Sequence, residues 1–168
     1  MELKTLSKNH VNKLLDFELK NKEWFESFIE PRHKDFYSHS GVTKHIDYLL
    51  NQINSGNAFC GIVIKNNVIV ARANLKNISD QKAYVGYRVG KEFTSKGVAS
   101  YCLKQLIHIG KNKLNLKQLN AQVLNNNPAS MHILHKFGFE AIGTTANFLK
   151  LNNKQLSCTE LVLNTHNK

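Results

Sequence analysis

Apolar positions recur along the chain with two different spacings, and each change of spacing marks an element. Val11, Leu14, Leu15 and Leu19 form a stripe of helical period, which predicts a first helix capped by Ser7. The aromatic, charged stretch 23–37 is interrupted by Pro31 and reads as a short helix and an irregular loop. Ile46, Leu49, Leu50 and Ile53 set out a second helix, beginning at Thr43 and ended by Gly56. The pattern then turns β-branched. Residues 58–65 and 68–77 predict two strands joined at Asn66-Asn67, a pair that tolerates the left-handed backbone of a tight hairpin.

A third strand is predicted over 84–89. Ala99, Cys102, Leu103, Leu106, Ile107 and Gly110 then fall on one face of a long helix. Residues 119–124 return to strand character, and Asn125-Asn126-Asn127-Pro128 breaks it. Ser130, Ile133, Leu134 and Phe137 line a short helix that stops at Gly138. Strands over 139–142, 147–151 and 155–163 close the chain, the last two as a hairpin through Asn152-Asn153-Lys154. Helices, a β meander, strand–helix–strand–helix and a final hairpin together predict an α/β (α+β) fold with a mixed sheet and helices on its faces.

The chain has 168 residues, enough for one domain with a substantial core and too few for two ordinary ones. Its two prolines and the absence of repeats or Gly/Ser-rich tracts mark no linker, so residues 1–168 are read as one domain. No apolar run is long enough for a signal peptide or a membrane span. Cys60, Cys102 and Cys158 are far apart and flanked by apolar residues, which predicts buried free thiols in a reducing, cytoplasmic setting. Charge changes the picture more. The 23 Lys+Arg against 12 Asp+Glu give a net charge of +11. A solvated lysine surface accounts for it, and so does a polyanionic partner, whether a phosphorylated cofactor or RNA near the substrate. The basic residues are scattered and do not alternate with aromatics, which disfavours nucleic-acid binding as the main task.

Residues 86–100 carry the sharpest chemical signal. A strand there breaks into a short polar loop that opens directly into a helix. Such a junction leaves main-chain N–H groups unpaired at the positive end of a helix dipole, a ready cradle for phosphate or pyrophosphate. Gly97 permits close approach of an anion, and Ala99 is too small to block it. An ordinary capped turn would look similar in isolation.

The loop Thr94-Ser95-Lys96-Gly97-Val98-Ala99 resembles the pyrophosphate motif Gln/Arg-x-x-Gly-x-Gly/Ala of the GNAT superfamily of acetyl-CoA-dependent N-acetyltransferases. Residues 127–139, Asn-Pro-Ala-Ser-Met-His-Ile-Leu-His-Lys-Phe-Gly-Phe, resemble the family's Asn-x-x-Ser…Leu-x-Lys-x-Gly-Phe signature, at a fitting separation. Within the superfamily the chain looks most like the Rim-type ribosomal-protein N-terminal acetyltransferases. The features are Ala83-Tyr84-Val85-Gly86-Tyr87-Arg88-Val89-Gly90 and, more weakly, Asn21-Lys22-Glu23-Trp24-Phe25 with Pro31-Arg32 and Phe36-Tyr37.

The resemblance implies a mostly antiparallel sheet, splayed where the cofactor binds, between Val89 and the strand ending near Leu124. It implies that amides of Ser95, Lys96, Gly97, Val98, Ala99 and Ser100, beside Thr94, hold the pyrophosphate of coenzyme A. The strand end Tyr87-Arg88-Val89 would pair with the pantetheine arm, and Asn127 would contact that arm. Ser130 would bond the thioester sulfur and protonate it, although it reads equally as a residue of a helix N-terminus. The acceptor would be a primary amine: a protein N-terminus, a ribosomal one by the subgroup, or a small molecule such as a polyamine, amino acid or antibiotic. A non-catalytic CoA-binding module also stays open, as do monomer and homodimer.

The departures are informative. Thr94 stands where the family usually has Gln or Arg, and Ser95 where many members have Gly. Asn147 stands where Rim-type enzymes tend to carry a carboxylate that takes the amine proton, and an amide cannot serve as a base. Glu23, Glu26, Glu30 and Asp35 are candidate substitutes, Glu26 foremost, with Tyr84 as a relay to water. His132 and His135 have metal-ligand spacing but no third ligand near in sequence, so no metal is expected. His33, His39 and His45 form a looser cluster with the same reading. Trp24, Phe25 and Phe28 read as core or as a lid, and Lys96 and Lys136 as phosphate contacts or surface charge.

Overall fold

The structure, a computed structural model, describes residues 1–165. Seven strands form a single sheet: β1 (Glu2–Thr5), β2 (Phe59–Lys65), β3 (Val68–Ser79), β4 (Lys82–Val89), β5 (Gln118–Leu124), β6 (Glu140–Leu151) and β7 (Lys154–Asn164). Their order across the sheet is β1-β2-β3-β4-β5-β7-β6. Every pair is antiparallel except β4 and β5. Five α-helices surround it: α1 (Val11–Lys20), α2 (Lys22–Glu26), α3 (His39–Asn54), α4 (Val98–His108) and α5 (Pro128–Lys136). The α/β architecture expected from the patterning is present.

The sheet separates two cores. On one face, Leu103 and Leu106 of α4 and Leu134 of α5 pack on Ala71, Ala73, Leu119 and Leu161. On the other, Val11 and Leu14 of α1 and Val42 and Ile46 of α3 pack on Cys60 and Ile62. The β2–β3 hairpin turns through Asn66 and Asn67 at φ 50° and 64°, the left-handed pair the sequence called for. All three cysteines are buried and free.

Four elements differ from expectation. The strand β1 was not foreseen, because Glu2-Leu3-Lys4-Thr5 carries a single apolar residue and lies at an edge. In α1 the buried residues are Val11, Leu14, Phe17 and Glu18, while Leu19 is 48% exposed. A glutamate thus occupies a core position. α3 starts at His39 rather than Thr43, because the Ser38 hydroxyl accepts from the Gly41 N–H and caps it there. β6 is one strand rather than two, bent by register shifts at Ala141/Gly143 and Thr145/Leu149, with Asn147 left-handed at φ 51° in the second.

One feature of the sheet positions everything else. The parallel β4–β5 pairing runs only from Lys82↔Gln118 to Tyr84↔Asn120. Beyond it β4 stays with β3 and β5 stays with β7, so the two strands diverge.

Candidate active site

The divergence of β4 from β5 opens a cleft of about 1080 Å³. Ser130, Tyr84, Asn127 and residues 87–89, 94–95 and 97–100, singled out in the sequence, all line this cleft, whereas Lys96, Lys136 and Glu26 do not. The Lys96 ammonium instead lies over the Phe93 ring, 5.9 Å from its centroid. Glu26 accepts a hydrogen bond from the Tyr37 hydroxyl at 3.2 Å. Burial, reinforced by Glu26, pushes the Tyr37 phenol up to about 12. Of the other acidic candidates, Glu30 lines the exposed mouth, and neither Glu23 nor Asp35 does.

The α4 side of the cleft is built mainly from main chain. Gly97, at φ 75°, turns the chain into α4, and a Cβ there would meet no atom within 4 Å. Ser95 is also left-handed, at φ 57°, where a glycine would sit without strain. The first α4 amide to find a partner is that of Tyr101, which donates to Gly97 O at 3.0 Å. The amides of residues 95–100 make no main-chain hydrogen bond among the described residues. They are free donors at a helix N-terminus, the arrangement that accepts a phosphate group.

The β4 edge supplies a second row. Gly90 N–H donates to Val70 O, so by antiparallel alternation the main-chain groups of Tyr87 and Val89 point away from β3, into the gap. The Val89 carbonyl accepts from the Trp24 indole at 3.1 Å, which ties α2 to the strand end. The Asn21 side chain secures the same corner, accepting from the Lys91 amide and donating to Phe17 O. An extended acyl-carrying arm would find the Tyr87 carbonyl and the Tyr87 and Val89 amides as partners. The unpaired amides, the open strand edge and the cleft's size all fit acetyl-CoA.

On α5, Asn127 is the cap: its side-chain oxygen accepts from the Ser130 amide at 3.1 Å. Ser130 sits one turn inside, its hydroxyl sharing a 3.1 Å hydrogen bond with the Tyr87 hydroxyl. Burial raises the Tyr87 phenol above its ordinary value, which keeps it protonated. His135 lies on the far side of α5 from this pair in function: its ring bonds the Phe139 carbonyl at 3.0 Å. Among the described residues no group of three or more His, Cys, Asp or Glu could hold a metal ion.

The opposite face of the cleft is made of side chains. Arg72 and Arg88 are direct partners across the β3–β4 ladder, on the α1–α3 face. The buried Glu18 carboxylate bonds Arg72, and Arg88 lies 3.6 Å from its other oxygen. His45 faces Arg72 at 3.1 Å. Burial, then Arg72 and Arg32, lowers His45 to about 3, so it is neutral and accepts from the guanidinium. Burial also lowers Arg88 to about 10 and Arg32 below its usual range. Arg32 lies over the Phe36 ring at 4.1 Å. On this same face Tyr84 donates to Glu160 of β7 at 2.8 Å, and that bond raises the Tyr84 phenol.

Sequence reasoning missed Glu18, Arg72 and Glu160, saw Arg32 only within the weaker Rim-type resemblance, and saw His45 only in a loose histidine cluster. A signal was available for two of them. Glu18 interrupts the apolar stripe of α1, and Arg72 interrupts the apolar run of β3, and a charge at a core position implies a buried partner. Asn147 lies exposed in the β6 bulge, beside Phe148 and Leu149, which line the cleft.

A sheet splayed beside a helix-capping amide loop, with helices on both faces, defines an acyltransferase of the acyl-CoA-dependent kind. Residues 1–140 match the family described as Acetyltransferase (GNAT) domain, and the chain belongs to that family. A probable N-acetyltransferase, YjcK, from Bacillus subtilis is 25% identical over 143 residues, covering 82% of this chain and 79% of the relative. Solved structures share the fold. Ribosomal-protein-S5-alanine acetyltransferase from Vibrio fischeri superimposes with a TM-score of 0.92 at 18% identity, covering 98% of this chain and 93% of the other. RimL, the ribosomal L7/L12 α-N-protein acetyltransferase in complex with coenzyme A, gives 0.88 at 19% identity, covering 96% and 92%. A spermidine N-acetyltransferase chimera from Vibrio cholerae and a human enzyme gives 0.82 at 16%, covering 98% and 95%. The structural neighbours thus span protein and small-molecule acceptors.

Proposed function

We propose that the protein transfers the acetyl group of acetyl-CoA to a primary amine in one direct step, the N-terminal α-amino group of a protein of ribosomal type being the favoured acceptor. The observation that carries this reading is the pairing of two open main-chain rows in one cleft, the amides of residues 95–100 and the Tyr87–Val89 edge. The first row would hold pyrophosphate and the second the pantetheine arm. The Val89 amide would polarise the thioester carbonyl. A C–N bond forms as the C–S bond breaks, and the carrier leaves as its thiol.

Two hydroxyls and one carboxylate are placed to handle protons. Ser130, bonded to Tyr87, would supply the proton to the leaving sulfur. The amine proton needs an acceptor that Asn147 cannot be. Glu160, half-buried and bonded to Tyr84 at the cleft wall, is the carboxylate we assign to that role. Glu26, tied to Tyr37 outside the cleft lining, is less well placed. Soluble operation in the cytoplasm agrees with the buried thiols, and among the described residues no helix is long and apolar enough to cross a membrane.

Acetyl-CoA-dependent thiol release with N-terminal peptides, polyamines and aminoglycosides tests the acceptor class. Turnover with peptides above that with polyamines is expected, and the reverse order would favour a small-molecule enzyme, as the spermidine N-acetyltransferase of the same fold is. Ser130→Ala is expected to lower kcat about 10- to 100-fold with little change in acetyl-CoA affinity. Equal kinetics for variant and parent would remove Ser130 from the reaction.

A further inference from the structure

The side-chain face of the cleft is strongly and unevenly charged. Arg32, Arg72 and Arg88 all line it, with Lys76 at its exposed rim. Facing them are a single buried carboxylate, Glu18, and the exposed Glu30 at the mouth. Glu18 bonds Arg72 and lies within ion-pair range of Arg88, so one buried carboxylate faces three guanidiniums. The shortfall shows in the hydrogen bonding. Among the described residues Arg32 Nε and Arg88 Nη1 are buried without a hydrogen bond, Arg88 Nη1 lying 3.6 Å from the Glu18 oxygen, and the neighbouring Asn74 side-chain oxygen is unpaired as well.

Buried donors are almost always satisfied, and a buried unpaired charge is costly, so orphan guanidinium nitrogens in a cleft wall imply an acceptor that arrives from outside. Guanidinium is also the group best matched to a carboxylate or phosphate, because its fork offers paired donors. His45 is neutral, and burial holds Lys76 below its ordinary value, so the fixed positive charge of this face rests on the guanidiniums.

Across the same face, Tyr84 and Glu160 form the opposite pole. Tyr84, Gly86 and Arg88 alternate along β4, so the carboxylate pole and the arginine pole stand about four residues apart on one strand. That separation, roughly 13 Å along a strand, exceeds the reach of a compact amine–anion pair, so the arginine pole by itself is the candidate anion site.

We propose that the acceptor carries a carboxylate or phosphate close to its reacting amine, held by Arg88 and Arg32 while the amine faces the thioester. This rests on the acetyltransfer reading above and names the acceptor class within it. Two sources share the chemistry: a protein N-terminus followed by an acidic side chain, and a small amino acid or phosphoamine.

The test uses the full chain and matched acceptors that differ only in the anion. The peptide arm compares Ala-Asp-Ala-Gly-amide, Ala-Asn-Ala-Gly-amide and Ala-Lys-Ala-Gly-amide. The small-molecule arm compares glycine with glycinamide, and O-phosphoethanolamine with ethanolamine. At least a tenfold higher kcat/KM is expected for the anionic member in one arm, and that arm identifies the source. The preference should collapse in Arg88→Gln and in Arg32→Gln, through KM more than kcat, and in Arg32→Gln acetyl-CoA affinity by calorimetry should stay unchanged. Equal rates within every pair, or a preference for the lysine peptide, would overturn the proposal while leaving acetyl transfer intact. Should no acceptor release thiol, protection of the protein against thermal unfolding by the aspartyl peptide is read instead. Protection that Arg32→Gln removes supports the anion site and counts against the enzyme reading. Equal protection by the aspartyl and asparaginyl peptides, or by neither, overturns the anion site.

Discussion

The two walls of the cleft solve recognition in opposite ways. On the α4 side the donors are main-chain amides, presented by a loop of six consecutive residues with almost no charged side chain aimed inward. On the α1–α3 side the donors are guanidiniums drawn from β3, β4 and the loop before α3, two of which, Arg72 and Arg88, pair with a glutamate from α1. A main-chain cradle depends on backbone shape and tolerates exchange of most side chains. A wall of buried ions depends on each partner, and removal of one leaves the others uncompensated. The first wall should therefore break through conformation and the second through charge.

The largest effect is expected at Glu18. Glu18→Gln removes the carboxylate bonded to Arg72 and beside Arg88, and should cost about 3–5 kcal/mol of stability in urea unfolding. An unchanged midpoint would mean the guanidiniums are balanced from elsewhere and would erase the contrast between the walls. Gly97→Glu comes next. It forces a non-glycine residue into φ 75° and sets a negative charge among the free amides. Acetyl-CoA affinity should fall about 100-fold or more, near 2.7 kcal/mol, while stability falls by only about 1 kcal/mol. Calorimetry with unchanged affinity would remove the loop from cofactor binding.

A pH titration separates the walls further. His45 is held near 3 when folded and returns to about 6.5 when unfolded, so the unfolded chain binds a proton that the folded chain refuses. Its effect is nil above about pH 6.5, and stability falls as pH drops from there toward 3, by at most about 1.4 kcal/mol per pH unit. His45→Gln, which keeps an acceptor for Arg72, should flatten that slope in urea titrations, and a slope identical to the parent's would refute the assignment. The smallest effect is expected at Ser95, left-handed at φ 57°. Ser95→Gly should raise stability by up to about 1 kcal/mol, the relief of strain being partly offset by greater freedom of the unfolded chain. A loss in the thermal midpoint would show that the Ser95 side chain stabilises the loop.

How far each wall was legible follows from how it is built. The candidate amide cradle is local: a strand, a polar loop with Gly97, and a helix lie within fifteen residues, so the sequence offers it directly, and the 127–139 segment separates it from an ordinary capped turn. The α5 segment is local too, and Asn127 and Ser130 meet within one turn. The arginine wall joins positions 54 residues apart, Glu18 and Arg72, and no periodicity links them. The same holds for Tyr84 and Glu160, 76 residues apart. Glu26 was chosen for its place in a charged stretch, and only the fold reveals that Tyr37 takes its carboxylate. The succession of helices and strands along the chain was largely readable, but β1 was not, because an edge strand of four residues has too little buried surface to leave a pattern.

The chain contains one tryptophan, and its indole is anchored to the carbonyl at the very end of β4. That ring belongs to α2 and borders both walls, so whatever occupies either chamber alters the surroundings of the same fluorophore. Emission from Trp24 therefore gives an unlabelled optical gauge for the order in which the two substrates arrive.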